Sequence, residues 1–136
     1  MYLLDTNVVS ELRRLDRAQP QVRAWAERTP GSGFYLSVVT ILEVERGILL
    51  LARRDEEQAE QLRVWLEGDL LAGFEQRILP VDVPVVRRCA ALHVPDRRPE
   101  RDAMIAATAL VHGLIVVTRN VADFERTGVK LLNPWG

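Results

Sequence analysis

Five short apolar runs punctuate the chain, and the segments between them repeat their apolar residues at helical spacing. Tyr2-Leu3-Leu4 reads as a strand buried on both faces, the habit of a central parallel strand. Val8, Val9, Leu12 and Leu15 predict a helix leaving it directly, broken at Gln19-Pro20. Pro20 then suits the first turn of a second helix carrying Val22, Trp25 and Ala26, ended by Thr29-Pro30-Gly31. Phe34 to Val39 is β-branched and aromatic enough for the second strand. Thr40 would cap a helix running to about Arg54. Asp55 would cap a long third one through Phe74, with Ala59, Leu62, Trp65, Leu66 and Leu70 on its apolar side.

Ile78-Leu79-Pro80-Val81 predicts a strand that Pro80 confines to an edge or ends early. A helix over Val83 to Leu92 follows, then a charged loop from Val94 to Pro99. An Ala-rich helix spans Arg101 to Val111, closed by Gly113. Leu114 to Thr118 is the clearest buried strand, Arg119 to Phe124 a loop with one helical turn, and Val129 to Leu132 a last short strand. Strands alternating with helices in one domain, residues 1–136, give an α/β fold: a mostly parallel central sheet between helical layers.

Composition changes this picture little. A chain of 136 residues with 48% hydrophobic and 27% charged residues is an ordinary globular domain rather than a disordered one. A net charge of −1 excludes a uniformly basic nucleic-acid protein, though not a local basic rim. Of 18 basic residues all but Lys130 are Arg, a bias that suits phosphate contact but equally follows from genomic composition. Cys89 is alone, so no disulfide and no Cys-based zinc site is expected, and no ligand pairs with His93 or His112 at metal spacing. Without a signal-like start or a membrane-length apolar run, the expected setting is cytoplasmic.

The chemistry lies in four acids. Asp5 ends the first strand and Asp123 follows the Leu114–Val117 strand, so both belong at the carboxyl edge where open α/β sheets bind ligands. Glu43 and Asp102 open helices entering from that edge. Three of them have a bland explanation: Thr40-x-x-Glu43 is a capping box, Asp102 complements a helix dipole, and Asp123 fits an Asx-type cap. Glu45 lies about 200° around its helix from Glu43, so one of the two faces the site. The apolar residues after Asp102 leave its helix little polar surface and favour drawing it inward. Together the four carboxylates would repel one another, and a hard dication such as Mg²⁺ or Mn²⁺ would remove the problem. One or two such ions suit hydrolysis of a phosphodiester by an activated water. Thr6, Asn7, Thr118 and Asn120 stand beside the acids as supporting polar groups. Arg119, with the Arg97-Arg98-Arg101 group, either lines a nucleic-acid path or solvates a loop.

These residues resemble the motifs of PIN-domain ribonucleases of the VapC/FitB type. Leu3-Leu4-Asp5-Thr6-Asn7-Val8-Val9-Ser10-Glu11 is similar to the first motif, and Ser37-x-x-Thr40-x-x-Glu43-x-x-x-Gly47 to the second, where the spacing to Gly47 selects Glu43 over Glu45. Arg101-Asp102-x-x-Ile105-Ala106-Ala107-Thr108-Ala109 resembles the third. Thr118-Arg119-Asn120-x-x-Asp123-Phe124 resembles the fourth, in which either Asp123 or Asn120 completes the site. Asn133-Pro134-Trp135 resembles the end of the FitB-like branch. The resemblance implies a PIN-like fold and a Mg²⁺- or Mn²⁺-dependent endoribonuclease that halts translation as the toxin of a type II toxin–antitoxin pair. It implies Asp5, Glu43, Asp102 and Asp123 as catalytic metal ligands; among the basic residues, Arg101 and Arg119 are the candidates for RNA contact. It also implies a homodimer and a VapB/FitA-type antitoxin through which alone the complex reaches operator DNA. Such antitoxins commonly place an Arg among the acids. Trp65 with its helix would either help form the groove that receives them or serve the core.

Other classes fit less well. A phospho-receiver domain needs a Lys near its last strand, and Lys130 lies too close to the terminus. A two-carboxylate glycosidase leaves acids unused, and a nucleotide-binding module would need a Gly-rich phosphate loop that this chain lacks.

Overall fold

The computed structural model describes residues 1–136, and its centre is the strand the opening residues predict. Strand β1 (Tyr2–Leu4) is flanked by β2 (Phe34–Ser37) on one side and β4 (Ile115–Val117) on the other. Strand β3 (Ile78–Leu79) lies outside β2 and β5 (Leu131–Leu132) outside β4, giving the order β3-β2-β1-β4-β5. Every pairing is parallel, so the sheet is wholly rather than mostly parallel. Pro80 follows β3, which holds that strand to two residues at the sheet edge.

Alternation along β1 sorts the two layers. Leu4 faces a core built with α1 (Thr6–Leu12), α2 (Pro20–Glu27), α3 (Val38–Ala52) and α4 (Glu56–Trp65), in which Val8, Trp25, Ile48 and Ala59 are buried. Leu3 faces the opposite core, made with α6 (Glu100–His112) through Ile105, Ala106 and Ala109 and closed by Phe124. The other side of α6 packs Ala103 and Ala107 against Val85 and Cys89 of α5 (Val83–Leu92). Alanine suits a helix pressed between a sheet and another helix, because small side chains let the backbones approach closely. Gly113 ends α6 at φ 68°, the left-handed conformation that costs glycine nothing.

The outer strands are shorter than expected, and two helices differ in ways that bear on the site. The second strand stops at Ser37, whose Oγ accepts from the Val39 N–H at 3.0 Å and caps α3, so the helix starts three residues before a Thr40 cap would allow. The Thr40–Glu43 capping box therefore does not form, and Glu43 moves into the second turn. The long helix predicted from Asp55 to Phe74 also changes character. Asp55 caps it as expected (Gln58 N–H to Oδ1, 3.0 Å), but after Trp65 it widens into a π-helical stretch, Leu66–Ala72. There the Gly73 N–H reaches the Gly68 carbonyl at 3.1 Å. A Cβ at Gly73 would sit 2.2 Å from the Asp69 carbonyl oxygen, so this tight exit requires glycine. No helix is long and apolar enough to cross a membrane.

Candidate active site

The chain runs from β1 outward to β2 and β3, then returns to lay β4 against the other side of β1. The carboxyl ends of β1 and β4 thus border the point where strand order reverses, the crevice where such sheets hold ligands. Asp5 leaves β1 at this point, with its N–H on the Val117 carbonyl at 2.9 Å. Its side chain is 1% exposed and fully engaged. Oδ1 accepts from the Thr6 N–H at 2.8 Å, capping α1, and Oδ2 accepts from the Thr118 hydroxyl at 2.8 Å. Thr118 is in turn met by the Asn7 amide (3.4 Å) and the Asn120 backbone N–H (3.0 Å), while the Arg119 N–H donates to Asn7 Oδ1 (3.3 Å). Three of the four supporting polar side chains, Thr6, Asn7 and Thr118, join this lattice, whereas Asn120 contributes its backbone.

Glu43 and Asp102 converge on the same crevice from α3 and α6, and what brings them together is Arg101. Its Nε and Nη2 clamp Glu43 Oε2 and Oε1, each at 2.9 Å. Nη1 donates to Asp102 Oδ1 at 2.9 Å, and Nη2 also reaches Asp5 Oδ1 and the Thr6 hydroxyl (3.3 Å). Glu43 further accepts from Thr6 Oγ1 at 2.6 Å, and Thr40, freed from capping, lies 3.2 Å from the same hydroxyl. Acids expected to repel one another until a dication arrives are thus held by a cation from the chain itself.

This arrangement sets the protonation of Glu43. Burial alone would raise its carboxyl pKa. The hydrogen bonds from Arg101 and Thr6 outweigh that, with help from the charges of Arg101 and Arg46, and hold it below the ordinary value of 4.5. Burial would likewise lower the Arg101 pKa, but its bonds to Glu43 and Asp5 and the nearby negative charges raise it, so the guanidinium stays charged. A folded-state pKa below the unfolded one means that unfolding takes up protons. The contribution of Glu43 to stability is then present above about pH 4.5 and is lost as pH falls through the lowered value. Metal-free protein should therefore lose stability steeply below that pH, and Glu43→Gln should flatten the slope. Urea midpoints measured from pH 7 to 3 test this, and parallel curves for the two proteins would refute it.

Asp123 is placed differently. It lies exposed in the single helical turn Val121–Phe124 after β4, at the same edge, without a hydrogen bond to the other three acids. The charged loop also resolves into separate roles. Arg98 is structural, its Nε on the Leu92 carbonyl and Nη1 on the Glu125 carbonyl, both at 2.9 Å, while Arg97 is exposed and Arg101 serves the acids. A groove of about 330 Å³ opens from Thr6 and Glu43 between α1, α3 and α4, lined by Arg13, Arg54 and Trp65. Arg119 is exposed at the rim with its guanidinium 5.3 Å from the Trp135 ring centroid.

One cluster was not anticipated. Cys89 Sγ, His93 Nε2 and Glu100 Oε1 lie 3.2 to 3.9 Å apart, against the expectation that nothing pairs with His93 at metal spacing. The Cys89-x-x-x-His93 interval is one helical turn and could have revealed two of the three; Glu100 arrives only through packing. The tautomer argues against a metal there. His93 Nδ1 accepts from the Arg98 N–H at 3.0 Å, so the neutral ring carries its hydrogen on Nε2, the nitrogen facing the other two groups. Burial and then the negative charge of Glu100 push the Cys89 thiol pKa up, which keeps it protonated.

An all-parallel α/β sheet with an acidic crevice around Arg101 at its switch point defines the class, and comparison with known proteins supplies the family. A model described as the PIN domain matches residues 2–130. A VapC ribonuclease of Sinorhizobium fredii is 36% identical over 142 residues, covering 99% of this chain and 98% of its own. Toxin FitB of Neisseria gonorrhoeae is 37% identical over 141 residues, covering 99% of each. Among solved structures, FitAcB from N. gonorrhoeae superposes with a TM-score of 0.89 at 36% identity over 99% of both chains. FitAB bound to an IR36 DNA fragment gives 0.90 at 34% identity, covering 100% of this chain and 96% of that one. The chain therefore belongs to the PIN-domain family. Within that family it is of the VapC/FitB toxin type.

Proposed function

We propose that this protein is a Mg²⁺- or Mn²⁺-dependent endoribonuclease, acting as the toxin of a type II toxin–antitoxin pair and halting translation by cutting RNA. The observation that carries this reading is the convergence of Asp5, Glu43 and Asp102 on one cation at the switch point of the sheet. The donors are all carboxylate oxygens, the set that Mg²⁺ and Mn²⁺ prefer, and the guanidinium of Arg101 held among them supports a crevice suited to positive charge. Asp5, Glu43 and Asp102 would hold the ion, with Asp123 or Asn120 completing the site from the rim. When bound, such an ion lowers the pKa of a water and neutralises charge developing on a phosphodiester.

The chain's own groups supply orientation. Thr118 holds Asp5 Oδ2, which turns Oδ1 toward the crevice, and the Thr6 hydroxyl fixes Glu43. Arg119, exposed beside Trp135, stands where an RNA phosphate would pass. A VapB/FitA-type antitoxin would lie along the groove containing Trp65, and operator DNA would be bound through that antitoxin, since this chain carries a net charge of −1. A homodimer would cover Leu42, Leu49 and Leu50 of α3, each more than half exposed, and light scattering would report its mass.

The test is cleavage of structured RNA by purified protein. Cutting with Mn²⁺ or Mg²⁺ and its loss on adding EDTA are expected. Cleavage that persists in EDTA would reject metal dependence, and no cleavage of any RNA under either condition would reject the nuclease.

A further inference from the structure

We propose that Arg101 is a resident counter-ion which a divalent cation must displace, so that metal entry and the release of this side chain are one event. The inference rests on the metal-dependent reading above and adds a competitor for that site from within the chain. One guanidinium serves Glu43, Asp5 and Asp102, drawn from α3, the end of β1 and α6, and it takes both oxygens of Glu43. The oxygens facing the crevice already receive its hydrogens. A Mg²⁺ or Mn²⁺ ion needs lone pairs at about 2.0–2.2 Å, inside the 2.9 Å that now separates the guanidinium nitrogens from Glu43 and Asp102. A dication and a guanidinium that close together would also repel strongly in a partly buried site.

Arg101 can leave. It lies in the first turn of α6, beside the loop 94–99, and its side chain is still 32% exposed. A flexible stem lets the charged head swing from the crevice to its mouth. Two consequences follow. The metal-free protein stays folded with the charge of its acids partly offset, and the apparent affinity for metal is lower than the carboxylates alone would give. Once outside, the guanidinium stands at the rim facing an incoming phosphodiester, so filling the site also creates an anion contact.

Mn²⁺ binding to the full chain, measured by calorimetry, compares wild type with Arg101→Gln and Arg101→Met. Both variants should bind about ten- to a hundredfold more tightly, the worth of one or two hydrogen bonds to charged groups. Without metal their melting temperatures should fall, and saturating Mn²⁺ should raise them more than it raises wild type. In wild type the Nε–H resonance of Arg101 should move to a solvent-exposed position as diamagnetic Mg²⁺ is added, a measurement that needs no variant to fold. Equal or weaker Mn²⁺ affinity in folded variants, or an Arg101 resonance unmoved at saturating Mg²⁺, would overturn the competitor and leave the metal site standing. Failure of wild type and variants alike to bind Mn²⁺ would remove the metal site and the competitor together.

Discussion

Asp5→Asn is expected to lower RNA cleavage at least about a hundredfold, while the protein stays folded. The substitution removes a charge without changing shape. Asn caps helices about as well as Asp, so the bond from the Thr6 N–H that starts α1 survives. The Thr118 hydroxyl, which faces the other oxygen, then meets the new amide and must rotate to accept from it in place of the long Asn7 contact. What disappears is one of the three negative charges that hold a cation in the crevice. Mn²⁺ affinity should fall with activity, and far-UV circular dichroism should not change. Asp102→Asn, at a position 15% exposed, should act in the same direction. Wild-type cleavage by a folded Asp5→Asn protein would separate these acids from catalysis.

Phe124→Ala should be the most damaging change to the fold itself. Phe124 is 1% exposed and closes the core between Leu3, Ile105, Ala106 and Val116. Truncating a buried phenylalanine typically costs about 3–5 kcal/mol, against a total stability of roughly 5–15 kcal/mol for a domain. A fall in melting temperature of about 10–20 °C is expected. The effect should reach the site as well, because Phe124 anchors the single turn that carries Asp123. Asp123→Asn, altering an exposed side chain on the same turn, should leave the melting temperature unchanged. Urea unfolding of the two variants checks the contrast, and a loss below about 1 kcal/mol for Phe124→Ala would show that the turn is not packed as described.

Much of this is legible in the sequence. The all-apolar β1 and β4 and the acids following them located the carboxyl edge, because only strands covered on both faces tolerate unbroken apolar runs. The Ala-rich α6 announced a helix pressed on two sides, and Asp102 at its start was correctly drawn inward. Local competition was harder to read. Ser37 and Thr40 are both good caps three residues apart, and the strand–helix boundary followed from β2 pairing with β1 and β3 rather than from either side chain. With the cap moved to Ser37, the bland explanation of Glu43 lost its partner. The π-helical stretch leaves no mark on the pattern because Leu66 and Leu70 keep ordinary helical spacing, while Gly73, which its exit requires, carries no periodic signal.

By itself the sequence determined the layered parallel architecture and the residue types at its edge. Apolar period and helix caps are local properties, and a carboxylate at the end of a strand stays there whatever packs around it. Only the tertiary structure decided that Arg101, one residue before Asp102, turns back into the crevice to join acids separated from it by 58 and 96 positions. It also decided that Asp123 stays exposed, apart from the bonds that Arg101 makes. No local pattern carries that information, since the partners of a long charged side chain depend on which oxygens the fold brings within its reach.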